Sequence, residues 1–338
     1  MKKTAEAVSL GHPDKISDYI SSYILDEMIK QDPHVKYAVE VLIKGNHVVL
    51  GGEIKGNVSL NNVKAYVLGA LSDIGYTKKY AEYWQQFSIE PDKVVVEDLI
   101  GCQSCDINKG VEQNGWGDQG VFVGYACKGK GLINKELYLA RKLNKALYNK
   151  AKADFVLGLD IKTQITLDDD NSIDTAIVAV PMLQNVDLTD FIVKTLGEKP
   201  KRIIVNGTGA YTYHSSVADC GVTGRKLAAD FYSTACPVGG GSPWTKDASK
   251  ADLTLNIYAR KLALKYLEDN DECFVYLSSC IGKSELPSAT VKTIKDGKAI
   301  SQNISVTLKP SQMIAELQLD RPIYKELCKN GLFSLLTE

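Results

Sequence analysis

Two apolar runs, Tyr37 to Ile43 and His47 to Ile54, meet across Gly45-Asn46, a dipeptide suited to a tight hairpin turn. That pairing constrains the chain more than any other local feature, because a two-residue turn fixes the register of both strands. Lys44 then faces His47, Glu40 faces Gly51, and Glu53 faces Ala38. Glu40 and Glu53 therefore share one face of an otherwise apolar hairpin. Unpaired carboxylates there are costly, and Gly51-Gly52 beside them lets a ligand or another backbone approach. A bound cation or an ammonium substrate would offset that cost; a solvated face is the competing reading.

The hairpin does not stand alone. Ile16, Tyr19, Ile20, Tyr23, Ile24 and Met28 recur at helical spacing behind Pro13, which an N-terminal turn tolerates. Further strands are expected at Lys162 to Leu167, Thr175 to Val180, Arg202 to Asn206 and Cys273 to Ser278, and further helices at Asn62 to Ile74, Asn134 to Lys150, Leu188 to Leu196 and Ser249 to Leu267. Hairpins alternating with single helices predict an α+β fold, helices stacked on mostly antiparallel sheets, and not a βαβ array. Glycine-rich loops near Gly101 to Gly120 and Asp219 to Thr245 divide the 338 residues into three stretches, 1–100, 101–218 and 219–338.

Charge and cysteine usage narrow the function classes. Forty basic against 41 acidic side chains give no global reason to expect nucleic acid or an anionic membrane as partner. The polar start Lys2-Lys3-Thr4 carries no signal-peptide apolar region, and no later run reaches membrane-spanning length, so a cytoplasmic protein is expected. Eight scattered cysteines suit reduced thiols, and disulfides are not expected. No P-loop occurs, and Gly207-Thr208-Gly209 lacks the third glycine of a dinucleotide fingerprint. Cys102 and Cys105 lack the second ligand pair of a zinc site, and Asp168-Asp169-Asp170 reads as a solvated turn between two strands.

Three more segments point to anion chemistry. In Gly11-His12-Pro13-Asp14-Lys15 a helix start attracts phosphate, His12 and Lys15 add to it, and Asp14 fits either a cap or a cation ligand. Asp160-Ile161-Lys162, read as strand, puts a carboxylate and an ammonium on one face, fit for ribose hydroxyls and a phosphate, or for a plain ion pair. Finally, Asp219 to Lys226, then Gly239-Gly240-Gly241 with Lys246, Lys250 and Asp252, form glycine-rich turns flanked by cations. Asp252 is the odd acid, either an Mg²⁺ ligand beside phosphates or, with Asp247, a helix cap.

These segments, with Gly51-Gly52-Glu53-Ile54, Gln103-Ser104, Asp106-Ile107-Asn108, Gly117-Asp118-Gln119-Gly120 and Pro322-Ile323-Tyr324-Lys325, resemble methionine adenosyltransferases (S-adenosylmethionine synthetases) in order and spacing over nearly the whole chain. The resemblance implies three similar α+β domains related by pseudo-threefold symmetry, in a homodimer whose active sites lie between subunits, with a tetramer left open. It implies that the substrates are ATP and L-methionine, with two Mg²⁺ per site and an activating K⁺. It places His12, Lys162, Arg225, Lys226 and Lys246 around the triphosphate, Asp14 and Asp252 on Mg²⁺, and Glu40 on K⁺. Glu53, Gln103 and Asp219 become methionine contacts and Asp160 the ribose contact, while Asp118 and Tyr211 lie near the nucleoside. Leu10, Ala210 and Val238 stand where the family has an acid, an arginine and a histidine, and the Cys102 to Asp118 segment is shorter than in typical members. Two rivals remain: a kinase or ligase acting on Mg-ATP, and a degenerate relative that binds ATP or S-adenosylmethionine without turnover.

Overall fold

The computed structural model describes residues 1–102 and 115–336. The chain makes three passages, each with a strand, a long helix and a hairpin in that order. Strand β1 (Lys3–Val8) precedes helix α1 (Pro13–Gln31), the hairpin β2 (Lys36–Lys44) and β3 (His47–Lys55), helices α2 (Val63–Ile74) and α3 (Lys78–Trp84), and strand β4 (Val95–Cys102). Next come β5 (Gly120–Cys127), α4 (Lys135–Asp154), the pair β6 (Lys162–Leu167) and β7 (Ile173–Ala179), α5 (Thr189–Leu196) and β8 (Arg202–Val205). The third passage holds α6 (Ser215–Ala218), β9 (Gly221–Val222), α7 (Leu227–Asp230), α8 (Ala251–Leu267), β10 (Glu272–Ser279), β11 (Ser288–Lys295), β12 (Lys298–Asn303), α9 (Pro310–Leu317) and α10 (Tyr324–Asn330).

Each passage has, ahead of its long helix, a strand that pairs in another passage's sheet: β1 with β6, β5 with β10, and β9 with β2. The result is three four-stranded sheets, β1-β6-β7-β8, β12-β11-β10-β5 and β4-β3-β2-β9. In each, the long helix lies across the borrowed strand and the first hairpin strand, α1 on β9 and β2, α4 on β1 and β6, α8 on β5 and β10. The same arrangement three times over is the pseudo-threefold α+β architecture. Close approach makes it possible at two strands, where a side chain at Gly221 would run into the Pro13 carbonyl and one at Gly124 into the Ala259 carbonyl.

The hairpin register matches the sequence reading: Lys44 opposes His47, Glu40 opposes Gly51 and Ala38 opposes Glu53. Gly45 alone at the turn takes a left-handed φ of +59°, as a type II′ turn asks of its first central residue. Tyr37, Val39, Val41 and Ile43 are buried beneath α1, which leaves the other face to Glu40 and Leu42. Asp168 to Asp170 is a turn, closed by the Asn171 N–H on the Asp168 carbonyl and flanked by Lys201. Among the described residues the cysteines are free, and no helix is long and apolar enough to cross a membrane. Cys105 lies outside the described residues.

Candidate active site

His12 is the N-cap of α1, its ring Nδ1 accepting the Asp14 N–H at 3.2 Å, with Pro13 at the first helical position. With Nδ1 an acceptor, the neutral ring carries its proton on Nε2. Burial first, then the charges of Lys226 and Lys162, push the His12 pKa down to about 3, so the ring is neutral near pH 7. Asp14 is no cap. It is 1% exposed, accepts the Val222 N–H at 2.9 Å and the Lys226 ammonium at 2.5 Å, and has Arg225 Nε at 3.6 Å. Burial raises its pKa, but Lys226 and the Val222 N–H more than offset that and leave it below the usual carboxylate range.

Asp160 joins this cluster from the loop before β6. The strand begins only at Lys162, so the two do not share a face by strand alternation as the sequence reading expected. Asp160 is held instead by the Ser215 N–H at 2.9 Å. Burial raises it to about 6, against the pull of that N–H and of Lys162. The Lys162 side chain is exposed, and its ammonium has no hydrogen-bond or ion-pair partner among the described residues. Burial and then the charge of Asp160 raise the Tyr211 pKa, while exposed Asp219 acts on both His12 and Asp160. His12, Asp14, Asp160, Lys162, Tyr211, Asp219, Arg225 and Lys226 thus form one electrostatic neighbourhood.

A second cluster lies further along β2. Lys246 bridges to Ala38 and its ammonium meets Asp252 at 2.5 Å. Gly241 packs directly against the Asp252 carboxylate, with no room for a Cβ. Half-buried Lys250 is the N-cap residue of α8 without a side-chain cap bond, so Asp252 is not the cap. Asp247 ties its loop to β2 through the Tyr37 N–H at 2.8 Å and holds the Ser249 N–H at 2.9 Å. Since Val222 pairs with Leu42 and Lys246 with Ala38, four residues of strand separate the clusters, roughly 13 Å at about 3.3 Å per residue. Glu40 lies between them, accepting the hydroxyls of Thr223 and Thr245, the latter at 3.1 Å. Half-buried Glu53 shares its face.

Models of the S-adenosylmethionine synthetase N-terminal domain and C-terminal domain match residues 1–104 and 213–336. S-adenosylmethionine synthase 2 of Rhodospirillum rubrum is 33% identical over 98% of this chain and 91% of its own length. The chain belongs to the S-adenosylmethionine synthetase family. S-adenosylmethionine synthase of Helicobacter hepaticus is 32% identical over 98% of this chain and 92% of its own. An unusual S-adenosylmethionine synthetase from Campylobacter jejuni superposes with a TM-score of 0.86 at 31% identity, covering 98% of this chain and 94% of that one.

In this synthetase chain, several residues expected at the site lie apart. Asp118 is exposed ahead of β5, bonds its own Gln119 N–H at 2.8 Å, and joins neither cluster through a described contact. Gln103 lies outside the described residues. Lys15 does not join the His12 cluster through a described contact; it is held by Asp18 at 3.1 Å and Asp230 at 2.7 Å over the Trp244 ring. Asp18, Asp230, Thr245 and Ser215 were not singled out from the sequence, and Thr223 only as part of the Asp219 to Lys226 turn. Asp18 was detectable, because it lies four residues after Asp14 on one helix face.

The donor sets suit the family's cations. Among the described residues no group of three or more His, Cys, Asp or Glu side chains gathers around one point. Asp14 and Asp252 are single carboxylates, as Mg²⁺ prefers when substrate phosphates and water fill its other positions. Glu40 with two threonine hydroxyls is an all-oxygen set suited to a hard cation.

Proposed function

We propose that the chain is a methionine adenosyltransferase, which joins the sulfur of L-methionine to the 5′ carbon of ATP, expels the whole triphosphate and then hydrolyses it to phosphate and diphosphate. The observation that carries this reading is a buried, neutral His12 facing exposed or half-buried Lys162, Arg225 and Lys226. A thioether sulfur attacks carbon without losing a proton, so no general base is required. What the reaction needs is alignment of sulfur and carbon and fixed positive charge where the leaving group gains negative charge.

In this scheme the Nε2 proton of His12 is a hydrogen-bond donor at the bridging oxygen. Its low pKa makes it a dipole, not a stored acid, until a bound triphosphate adds counter-charge. Asp160 accepts the ribose hydroxyls, and Tyr211 lies against the nucleoside. Asp14 and Asp252 would hold Mg²⁺, which supplies charge neutralisation on the phosphates, and Glu40 with Thr223 and Thr245 would hold K⁺.

The two clusters are half-sites, and a second copy brings the Lys246–Asp252 half of one chain to the His12 half of another. Support comes from the sheet face opposite α1, where Leu42, Val95 and Leu99 are 40%, 51% and 60% exposed. The enzyme works in the cytoplasm. The deciding experiment incubates purified protein with ATP, L-methionine, Mg²⁺ and K⁺ and separates the products by chromatography. S-adenosylmethionine that requires both substrates is the expected result. ADP or AMP in its place assigns the site to a kinase or ligase, and bound ATP without any product assigns it to a non-catalytic relative.

A further inference from the structure

The first turn of α1 has a second neighbour. Lys15, but neither His12 nor Asp14, lines a cavity of 190 Å³ between the β1–α1 link, α4 and the end of α10. An engineered cavity of about 150 Å³ takes up benzene, so a phosphate or a short carboxylate fits.

Its charges are unevenly matched. Lys15 is satisfied by Asp18 and Asp230, and the Asp230 Oδ2 is further engaged by the Trp244 Nε1–H at 2.8 Å. Arg141 on α4 is not matched in this way. Its Nη2 donates to the carbonyls of Ala229, Asp230 and Phe231 at 2.8, 2.8 and 2.9 Å, which orient the guanidinium, while the Asp230 carboxylate acts on it only through space and is shared with Lys15. No carboxylate lies within ion-pair range of it among the described residues. Its Nε and Nη1 donors have no protein acceptor there, and neither is among the buried polar atoms sealed from solvent without a partner. At the rim stand exposed Lys145, without an ion-pair partner among the described residues, and Lys329, whose one acidic neighbour, Glu326, is 3.7 Å away.

We propose that this cavity binds a small oxyanion, a phosphate or a short carboxylate, with Arg141 at its inner wall and Lys145 and Lys329 at its mouth. A guanidinium with unused donors, pre-oriented by three carbonyls, matches the planar or tetrahedral oxygens of such a group, and a partly desolvated setting strengthens the contact. Lys15 of the cavity wall is chain neighbour to Asp14, so the occupant rests against the same first turn of α1 that carries the candidate catalytic histidine.

The test is isothermal titration of the full chain with inorganic phosphate, and in a second arm with malonate, at fixed ionic strength. Lys226→Gln serves as the control for binding at the candidate active site. The expected result is that the K145Q/K329Q double variant and Arg141→Met each weaken binding at least tenfold, while Lys226→Gln leaves it unchanged. Preference for phosphate or for malonate assigns the class of occupant. Affinity that follows Lys226→Gln and ignores the cavity variants overturns the proposal, as does absence of binding by both anions at millimolar concentration. Should Arg141→Met fail to fold, the surface pair at the mouth decides alone.

Discussion

Asp14 and Lys15 are adjacent in the chain, similarly buried and both ion-paired, yet their surroundings differ in kind. Lys15 lies among core elements, with Asp18 on its own helix, Asp230 on α7 and an indole beneath it. Its charge is balanced within the fold. Asp14 borrows its partners from the loop between β9 and α7, where the Lys226 side chain is 20% exposed and that of Arg225 is 53% exposed. Those cations can turn to a ligand, which leaves Asp14 to the Val222 N–H and to a cation it would then hold. Whether a buried charge serves architecture or chemistry is therefore read from the exposure of its partner, and not from the charge itself.

Removing one partner on each side is the most direct way to break the comparison. Lys226→Gln should lower kcat by about 10²–10³-fold, the size found when one fixed donor to a developing charge is lost, with a midpoint of thermal unfolding close to that of the parent. A large loss of stability would mean that the Asp14 pair is structural as well. Asp230→Ala should do the opposite and reduce unfolding free energy by about 3 kcal/mol in urea titration, the low end for a broken buried pair because Asp18 still faces Lys15. The folded fraction should keep its KM for ATP; a KM change without destabilisation would place Lys15 on the substrate side.

Acidity sharpens the contrast further. Asp160 is raised to about 6 by burial, so the folded chain holds a proton there that the unfolded chain releases near pH 4. Its contribution to stability is present below pH 4 and lost as pH rises through about 6. ATP binding should run the other way, because ribose hydroxyls need the carboxylate. The KM for ATP is expected to fall several-fold between pH 5 and 7 in the parent and to stay flat in Asp160→Asn. A slope that survives the substitution would move the titrating group elsewhere. The smallest effect is at Thr245, where Thr245→Val removes one hydroxyl from Glu40 and should cost about 0.5–1.5 kcal/mol, read as weaker K⁺ activation with unchanged activity at saturating K⁺.

Much of this was legible in the sequence where local chemistry decides the outcome. The Gly45-Asn46 turn fixed the positions of Glu40 and Glu53, and apolar periodicity located α1 and α8 within two residues of their starts. It failed where distant contacts decide. β9 is two residues long and β1 is the polar-alternating Lys3-Thr4-Ala5-Glu6-Ala7-Val8, so neither has a strand signal of its own, and each is a strand only because a remote hairpin edge supplies the pairing. At the site, the segments carrying His12, Asp14 and Arg225-Lys226 stood out by composition. The engagement of Lys15 within the fold did not, because Asp230 and Trp244 lie more than two hundred residues away.

The borrowed strands have a consequence for synthesis. When the first hundred residues have left the ribosome, β2 still presents an open edge at Leu42 and Ile43, to be closed only by Gly221 and Val222, while β1 waits for a strand that begins at Lys162. No third of the chain can complete its own sheet. The nascent protein must therefore keep the β2 edge out of contact with other chains until nearly two-thirds of it has been made, and β5 waits longer still, for a strand that begins at Glu272.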